Sequence, residues 1–342
     1  MKIKSKSKYN VAIMGATGAV GEEMLKILEE RNFPVADLRL LASVRSVGKK
    51  YRFRDRDIAV EELKENSFGG IDIVLASAGG SISKKYAPFA VKAGAVVVDN
   101  TSFFRMDPKV PLVVPEINAK DIAKHKGIIA NPNCCTIIML MPLWPIHQAF
   151  GIKRIIVSTY QSASGAGAKA MQELEDQARE VLAGKPATKN VFPHQIAFNL
   201  FSHNSAVKDD GYNDEELKII QETHKIFHAP KIRIAPTCVR VPVFRAHSES
   251  ITLELAKTPD LKKIRQILSK APGVRLVDDQ EKNYFPMPIE ASGKDDVLVG
   301  RIRRDLSHPK GICLFVAGDQ LRKGAALNAV QIAEILCGLS AS

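Results

Sequence analysis

The sequence predicts an α/β fold in two parts, an N-terminal doubly wound domain and a C-terminal α+β domain with a mixed sheet. Over the first third of the chain, short apolar runs alternate with helix-like stretches, as in parallel strands joined by helices. Longer apolar runs begin near Gly151. A chain of 342 residues is also too long for one small core and suits two domains.

The predicted elements follow from the period of the apolar residues. In the first domain we predict strands at residues 11–14, 38–43, 71–76 and 96–99 and helices at 22–31 and 83–93. In the second we predict strands at 152–161, 231–237 and 250–255 and helices at 168–182 and 261–269. Residues 324–337 have helical spacing and are expected to pack back on the first domain. The expected domains are therefore 1–133 with 323–342, and 134–322.

The composition is that of a globular protein, with 45% hydrophobic and 25% charged residues and no low-complexity tract. The formal net charge is +12, but the basic residues are spread along the chain, and no aromatic-interleaved basic stripe accompanies them. Nucleic acid is therefore not an expected partner. A plain basic surface and an acidic small substrate both stay open as explanations of the charge.

The five cysteines are an odd number, and none has the C-x-x-C spacing of a zinc or redox site. We therefore expect free thiols in a reducing compartment and no metal site. The first ten residues, MKIKSKSKYN, lack the apolar segment of a secretory signal, and no stretch reaches the roughly 18 apolar residues of a membrane span. The expectation is a cytoplasmic protein without a membrane partner.

A glycine-rich loop follows the first predicted strand. Residues 11–14 run directly into Gly15-Ala-Thr-Gly18-Ala-Val-Gly21, and a predicted helix comes next. Glycines permit a tight turn and a close approach of the backbone to pyrophosphate, whose charge is met by the helix N-terminus. The context of a strand before and a helix after the loop favours a dinucleotide site over a plain glycine-rich turn.

The end of the second predicted strand bears on the choice of dinucleotide. A site selective for NAD usually has an acidic residue there, which holds the ribose hydroxyls. Here the chain instead has Ser43, Arg45 and Ser46. An arginine and two hydroxyl groups can bind a 2′-phosphate through charge-assisted hydrogen bonds. The sequence therefore indicates NADP, with a solvated basic loop as the alternative.

A pair of cysteines lies between a short apolar run, residues 127–130, and a strongly apolar helical stretch, residues 137–150. The local sequence is Asn131-Pro-Asn133-Cys134-Cys135-Thr136. The positive end of a helix lowers the pKa of a thiol and so favours the nucleophilic thiolate. Most cysteines are small buried hydrophobic residues, but the dinucleotide site upstream favours a nucleophile. Position alone does not decide which of the two thiols attacks.

A series of motifs resembles the aspartate-semialdehyde dehydrogenases along nearly the whole chain. In order they are GATGAVG, SVRSVGK, FFRM, NPNC, YQSASGAG, EELK, RVPVFRAHSE and DQLRKGAALNAVQIAE. The resemblance implies reversible, NADPH-dependent reduction of L-aspartyl 4-phosphate to L-aspartate 4-semialdehyde and phosphate through a cysteine thioester. It also implies a role in lysine, methionine and threonine biosynthesis, and a homodimer or homotetramer.

The resemblance assigns Cys134 as the nucleophile, His247 as the acid/base and Gln161 as a substrate-orienting group. Cys135, where the family often has a small hydroxyl residue, is expected to be structural. Gln320 takes the place of an asparagine found in many relatives. The cofactor-binding residues implied by the resemblance are Gly15, Thr17, Gly18, Ala19, Val20, Ser43, Arg45, Ser46, Ser77, Ser164, Gly165 and Gln320.

An aspartyl substrate needs both cations and an anion in its pocket. By the resemblance, Arg240 binds the carboxylate and Glu215 the ammonium group. Arg105 and Lys218 bind phosphate, and Asn133 and Gln161 complete the substrate site. Glu215 and Lys218 are three residues apart on a predicted helix, and this spacing places them on one face.

Three other functions stay open. The closest is another NADP-dependent reductase on the same scaffold, such as an acetylglutamyl-phosphate reductase or a malonyl-CoA reductase, from which only the pocket separates the aspartyl enzymes. A regulator that binds NADP without catalysis belongs to a different class, and intact Cys134 and His247 argue against it. Nucleic-acid binding is the third, and it would be strongly salt-dependent.

Overall fold

The computed structural model describes residues 6–339, which form two compact units. The first unit comprises the chain up to Asn133 together with the segment from Ala325 onward, and the second comprises Cys134–Gly324. Within residues 6–339, every helix is too short or too polar to cross a membrane.

Strands and helices alternate along the part of the chain up to Asn133, as the apolar pattern predicts, apart from the four consecutive strands between the first two α-helices. In chain order they are β1 (Tyr9–Met14), α1 (Ala19–Glu30), β2 (Val35–Ala42), β3 (Lys50–Phe53), β4 (Arg56–Glu62), β5 (Ile73–Ala76), α2 (Gly80–Lys92), β6 (Val96–Asp99), α3 (Pro115–Asn118) and β7 (Ile128–Ala130).

The second unit has longer strands, and the chain then returns to the first unit through one helix. The elements are α4 (Cys134–Phe150), β8 (Ile152–Gln161), α5 (Ala168–Leu182), β9 (Phe201–Ser202), α6 (Asp214–Phe227), β10 (Arg233–Arg240), β11 (His247–Leu255), α7 (Leu261–Leu268), β12 (Val274–Leu276), α8 (Pro288–Ala291), β13 (Val297–Arg304), β14 (Gly311–Gly318) and α9 (Leu327–Leu336).

The sheet of the first unit has the strand order β3-β4-β2-β1-β5-β6-β7. All its pairings are parallel except that of β3 with β4. Because successive side chains of a strand point to opposite faces, β1 feeds two cores. Val11 and Ile13 join a cluster that includes residues of α1 and α9, whereas Ala12 and Met14 join a cluster that includes residues of α2. Helices on both faces confirm the doubly wound fold.

The sheet of the second unit is mixed, with the order β12-β13-β14-β11-β8-β10-β9. Strands β8 and β10 are parallel and in register, so that Gln161 lies opposite Arg240 at their carboxyl ends. Strand β11 runs antiparallel to β8 and begins at the same edge with His247. Helix α4 packs on this sheet, and its Ile138 lies against Gly318 of β14. This edge therefore collects polar side chains from three adjacent strands.

Several boundaries and elements differ from the sequence prediction. Helix α1 begins three residues before the predicted start, and α4 begins at Cys134 rather than at residue 137. The first turn of a helix has no preceding helical turn to pair with, so apolar spacing marks its start poorly. The β3–β4 hairpin and strands β13 and β14 were not predicted. The hairpin is short and mostly exposed, and it lacks a buried apolar run.

Gly21 tests how tightly the first turn of α1 packs on the glycine loop. A Cβ atom at this position would lie 2.3 Å from the carbonyl oxygen of Gly15 and 2.8 Å from the Cα of Ala16. Alanine favours a helix over glycine by about 1 kcal/mol. We expect the backbone collision to outweigh this gain, so that Gly21→Ala destabilises the protein by about 2 kcal/mol in urea unfolding.

Gly69→Ala is the matched control in the same unit, because a Cβ there meets nothing within 4 Å. Its free energy of unfolding should change by less than about 0.5 kcal/mol. Equal stability of the two variants would contradict the packing described for the loop.

Candidate active site

The glycine loop between β1 and α1 has the geometry of an anion cradle. Gly15 has φ +90°, and a Cβ there would lie 2.6 Å from the carbonyl oxygen of Ser77. Gly18 is the N-cap of α1 and supplies no side-chain cap to the first-turn N–H groups, which begin at Ala19 and Val20. These groups can therefore meet a pyrophosphate, and the loop fits a dinucleotide.

The residues after β2 lie beside this loop. The chain leaves β2 at Ala42 and makes a short 3₁₀ turn, on which Arg45 is exposed. Thr17 and Ser46 are joined by a hydrogen bond of 3.3 Å between their hydroxyl oxygens, which ties the turn to the glycine loop. An exposed guanidinium group beside hydroxyl groups, with no acidic residue between Leu40 and Lys50, suits a phosphate.

Ser77 and Arg105 belong to the same unit. Ser77 follows β5 directly, and its hydroxyl oxygen accepts a 3.3 Å hydrogen bond from Asn100 Nδ2. Arg105 is buried, and its Nη2 donates to the carbonyl oxygen of Asn100 at 2.8 Å. Asn133, also buried, is the last residue of the N-terminal segment of this unit.

Cys134 is the first residue of α4 and is half-buried, whereas Cys135 is completely buried. The two sulfur atoms and a ring nitrogen of His247 all lie within 4.8 Å of one another. The neighbouring Cys135 thiol and then His247 hold the pKa of Cys134 well below its usual value, against the opposing effects of burial and of Glu215. Cys134 is therefore the thiol of the pair that ionises.

His247 opens β11 and is completely buried. Its Nδ1 accepts a 3.0 Å hydrogen bond from the backbone N–H of Ser162 and lies 3.0 Å from the hydroxyl oxygen of Ser162. Since Ser162 holds Nδ1, Nε2 is the ring nitrogen left to exchange a proton with a reacting group.

A chain of hydrogen bonds runs behind this histidine. The hydroxyl groups of Ser162 and Ser164 are 3.0 Å apart, and Ser164 also accepts a hydrogen bond from the side-chain amide of Gln320. The amide oxygen of Gln320 accepts a 2.8 Å hydrogen bond from the N–H of Ala246, next to His247. This series of hydrogen bonds therefore starts at the His247 ring and ends at the backbone of its neighbour, Ala246.

Arg240 ends β10 beside the histidine and is buried. Its Nη1 donates to the carbonyl oxygen of Ser162 at 3.0 Å, and its Nη2 lies 2.9 Å from Nε2 of His203. Gly165 fits closely here, because a Cβ would lie 3.0 Å from Arg240 Nη1 and 3.1 Å from His247 Cε1. The guanidinium group is thus fixed in orientation at the edge of the sheet.

An acidic and a basic side chain on α6 lie close to these groups. The helix is capped by Asn213, so that Glu215 falls in its first turn and is buried. Glu215 Oε2 forms a 3.0 Å ion pair with Lys218, which confirms that they share a helix face. Its Oε1 accepts from Gln161 Nε2 at 3.2 Å, and Gln161 Oε1 accepts from Thr159 Oγ1 at 3.2 Å.

The second unit therefore brings together Cys134, His247, Gln161, Glu215, Lys218, Arg240, Ser164, Gly165 and Gln320 from the residues expected at the site. The other residues expected at the site belong to the first unit, and they are those of the glycine loop and the β2 turn, Ser77, Arg105 and Asn133.

Sequence reasoning missed three further residues. Ser162 and His203 hold His247 and Arg240, and Glu249 lies beside Cys134. Only Glu249 carried a usable signal: it is two residues after His247 in a strand, and the two therefore share a face.

Comparison with protein families identifies both parts of the chain. Residues 10–125 match the model of the semialdehyde dehydrogenase NAD binding domain, and residues 143–323 match that of the semialdehyde dehydrogenase dimerisation domain. Aspartate-semialdehyde dehydrogenase from Synechocystis sp. is 58% identical over 96% of this chain and 98% of its own length. That from Aquifex aeolicus is 54% identical, with 96% and 98% covered.

Solved structures agree with this. A structure of aspartate semialdehyde dehydrogenase II from Vibrio cholerae complexed with ASA has a TM-score of 0.94 and 50% identity, covering 97% of this chain and 98% of the other. An aspartate semialdehyde dehydrogenase from Candida albicans with NADP has a TM-score of 0.73 and 25% identity, covering 96% and 98%.

His203 gives a prediction for the pH dependence of stability. Burial lowers its pKa to about 4, and the charge of Arg240 acts in the same direction. An unfolded histidine titrates near 6.5, so the unfolded state takes up this proton first as the pH falls. We expect His203→Gln, which cannot titrate, to lose less stability than the wild type between pH 6.5 and 4. The half-buried position limits the difference to on the order of 1 kcal/mol.

The measurement is urea unfolding of both proteins at several pH values. Near pH 8 His203 is neutral in both the folded and the unfolded protein. The difference in unfolding free energy between the wild type and His203→Gln should therefore not change with pH there. Parallel stability curves from pH 8 to 4 would show that His203 titrates normally in the folded protein.

Proposed function

We propose that this chain, which belongs to the aspartate-semialdehyde dehydrogenase family, reduces L-aspartyl 4-phosphate with NADPH to L-aspartate 4-semialdehyde and phosphate. The reaction is reversible. The observation that carries the proposal is a thiol with a lowered pKa at the start of α4, within 4.8 Å of a buried histidine. The pathway that this reaction serves is the synthesis of lysine, methionine and threonine.

Cys134 is the nucleophile. Its thiolate attacks the acyl carbon of aspartyl phosphate, phosphate leaves, and a thioester forms. NADPH supplies the hydride that reduces this thioester to a thiohemiacetal. When the thiohemiacetal collapses, the C–S bond breaks, the aldehyde leaves and the thiolate is restored. The same hydrogen bonds that stabilise the resting thiolate stabilise it as the leaving group.

His247 moves the proton at Nε2. In its doubly protonated form the ring gives this proton to the thiohemiacetal oxygen as negative charge develops there, which leaves a neutral ring protonated at Nδ1, and it takes the proton back when the aldehyde forms. The Ser162 hydroxyl can accept from Nδ1–H in both the doubly protonated ring and the neutral ring that the transfer leaves. Both protonation states of the histidine are therefore hydrogen-bonded.

The substrate groups are matched by charge. Arg240 presents a fixed guanidinium group for the carboxylate, and Glu215 is a buried anion suited to the ammonium group. Gln161, held by Glu215 and Thr159, orients the reacting acyl group. The groups proposed to bind phosphate are Lys218 and Arg105, and Asn133 completes the substrate site.

The fit of the glycine loop and of the β2 turn supports NADP as the cofactor. Gly15, Thr17, Gly18, Ala19 and Val20 bind the pyrophosphate, and the residues for the 2′-phosphate are Ser43, Arg45 and Ser46. The further cofactor contacts proposed are those of Ser77, Ser164, Gly165 and Gln320. In this chain the Gln320 amide holds Ser164 and Ala246, and it thereby fixes the Ser164 turn.

The proposed division of labour follows the two units. Residues 1–133 with 323–342 form the NADP-binding domain, and residues 134–322 form the catalytic and dimerisation domain. A homodimer or homotetramer is supported by the dimerisation-domain match and by exposed apolar side chains on the outer face of β8, Ile156 and Tyr160. A cytoplasmic location suits a nucleophile that must stay a free thiol.

Pocket charge separates this function from the other reductases on the same scaffold. Neither malonyl-CoA nor an acetylated amine has an ammonium group, so neither can use the buried carboxylate of Glu215 as the aspartyl substrate can. We therefore expect L-aspartate semialdehyde to be oxidised far faster than malonate semialdehyde or N-acetylglutamate semialdehyde. The non-catalytic regulator and the nucleic-acid binder predict no turnover of any aldehyde.

The central experiment is phosphate-dependent reduction of NADP with L-aspartate semialdehyde. We expect turnover that requires phosphate and prefers NADP, and a loss of at least about 10⁴-fold in Cys134→Ala, because no other group replaces the nucleophile. Cys313→Ala, a thiol on β14 beside Thr252, is the control and should keep wild-type activity. Activity that survives in Cys134→Ala would overturn the proposal.

Arg45 tests the cofactor assignment. Arg45→Ser removes the cation proposed for the 2′-phosphate, and a charge-assisted hydrogen bond contributes about 1.5–3 kcal/mol. We expect KM for NADP to rise about 10- to 100-fold with little change in kcat, whereas KM for NAD should change less than about threefold. Arg52→Ser, on exposed β3, is the control. Equal losses with both cofactors would mean that Arg45 does not recognise the phosphate.

A further inference from the structure

Cys135 has no role in the mechanism above, although it adjoins the nucleophile. It is completely buried, and its sulfur lies within 4.8 Å of both the Cys134 sulfur and the His247 ring nitrogen. At this separation the Cys135 thiol can donate to the Cys134 sulfur, and such a hydrogen bond is the largest effect that lowers the pKa of Cys134. Burial, together with this hydrogen bond, holds the pKa of Cys135 well above its usual value. The shared proton therefore resides on Cys135.

Glu249 is the second unused group. It lies on the core face of β11, where the next residues on that face, Ile251 and Leu253, are completely buried aliphatic side chains. Neither of its carboxyl oxygens has a hydrogen-bond partner among residues 6–339. An ionised carboxylate in such a place would cost several kcal/mol.

The carboxyl group is consequently a neutral acid. Burial, and then the negative charge of Cys134, hold the pKa of Glu249 well above its ordinary value. A negative charge on Glu249, if it formed, would also oppose ionisation of the Cys135 thiol. Three acidic groups thus share one buried region, and the charge that can form at lowest cost is on Cys134.

The charge of Cys134 is also influenced by groups on the other elements packed around it. Those that face it are His247 and Glu249 on β11, Glu215 on α6, Arg240 on β10 and Cys135 on its own helix. Of these, Cys135 and His247 favour the negative charge on the sulfur, and Glu215 opposes it.

We propose that Cys135 is a positioning residue that donates its S–H to the Cys134 thiolate, and that Glu249 beside them stays a neutral acid. The inference rests on the proposed role of Cys134 as the nucleophile. It differs from a packing role for Cys135, because a packing residue would not change the charge on Cys134. It also differs from a second nucleophile, because Cys135 stays protonated.

The test is the pH dependence of iodoacetamide alkylation of Cys134, followed peptide by peptide by mass spectrometry. Loss of one hydrogen bond of about 1 kcal/mol corresponds to a factor of about five. On the acid side of the profile, where the thiolate is the minor form, Cys135→Ala should therefore be alkylated about fivefold more slowly, with its profile displaced to higher pH. Cys135→Ser restores a donor and should stay within about twofold of the wild type. Cys313→Ala, the control, should leave the profile unchanged.

An unchanged or faster alkylation of Cys134 in folded Cys135→Ala would overturn the proposal, as would a profile of Cys135→Ser that matches that of Cys135→Ala. Circular dichroism and the thermal midpoint establish that each variant is folded. Because alkylation reports the charge of Cys134 without turnover, it separates this inference from the function. Wild-type dehydrogenase activity in Cys134→Ala would refute the proposed role of Cys134 as the nucleophile, whereas the alkylation results for the wild type and the Cys135 variants would still decide the inference about Cys135.

Glu249→Gln tests the second half of the proposal. The amide is neutral and of similar size, so the rate of Cys134 alkylation on the acid side of its profile should stay within about twofold of the wild type. The infrared C=O band of a protonated carboxyl group should be present in the wild type and absent in this variant. A rise in alkylation of about tenfold or more would show that Glu249 is ionised beside the sulfur, and would overturn its assignment as a neutral acid.

Discussion

The negative charge on Cys134 is the constraint on which the rest of the site depends. A thiolate that is half withdrawn from water survives only if donors surround it and other negative charges stay away. The start of α4, the Cys135 thiol and His247 supply the first condition. The burial of Glu249 meets the second, because it keeps that acid neutral. Glu215 opposes the thiolate, and its ion pair with Lys218 moderates this effect.

The sheet of the second unit brings the residues of the proposed substrate site together beside Cys134. Parallel pairing of β8 with β10 sets Gln161 opposite Arg240, and antiparallel β11 starts with His247 at the same edge. Groups that are up to 86 residues apart in the chain, as His247 is from Gln161, therefore meet without a long loop. The orientation of each is then fixed by a second hydrogen bond, often to Ser162.

Much of the fold could be predicted from the sequence because its signals are local. Strand, glycine loop and helix are contiguous in residues 11–31, and the cysteine pair directly precedes an apolar helix. His203 and Ser162 could not be found in this way, since their partners Arg240 and His247 come close only through strand pairing. The β3–β4 hairpin was missed for the opposite reason: it is local, but its exposed residues carry little apolar pattern.

Gly165 lies against two side chains with different tasks. A single added carbon there would press on Arg240, proposed to recognise the substrate, and on His247, proposed to move its proton. Recognition and proton transfer are thus not separable modules in this enzyme. A change of substrate preference obtained by moving the Arg240 corner would also displace the histidine, so that new specificity would come with slower chemistry unless both side chains were rebuilt together.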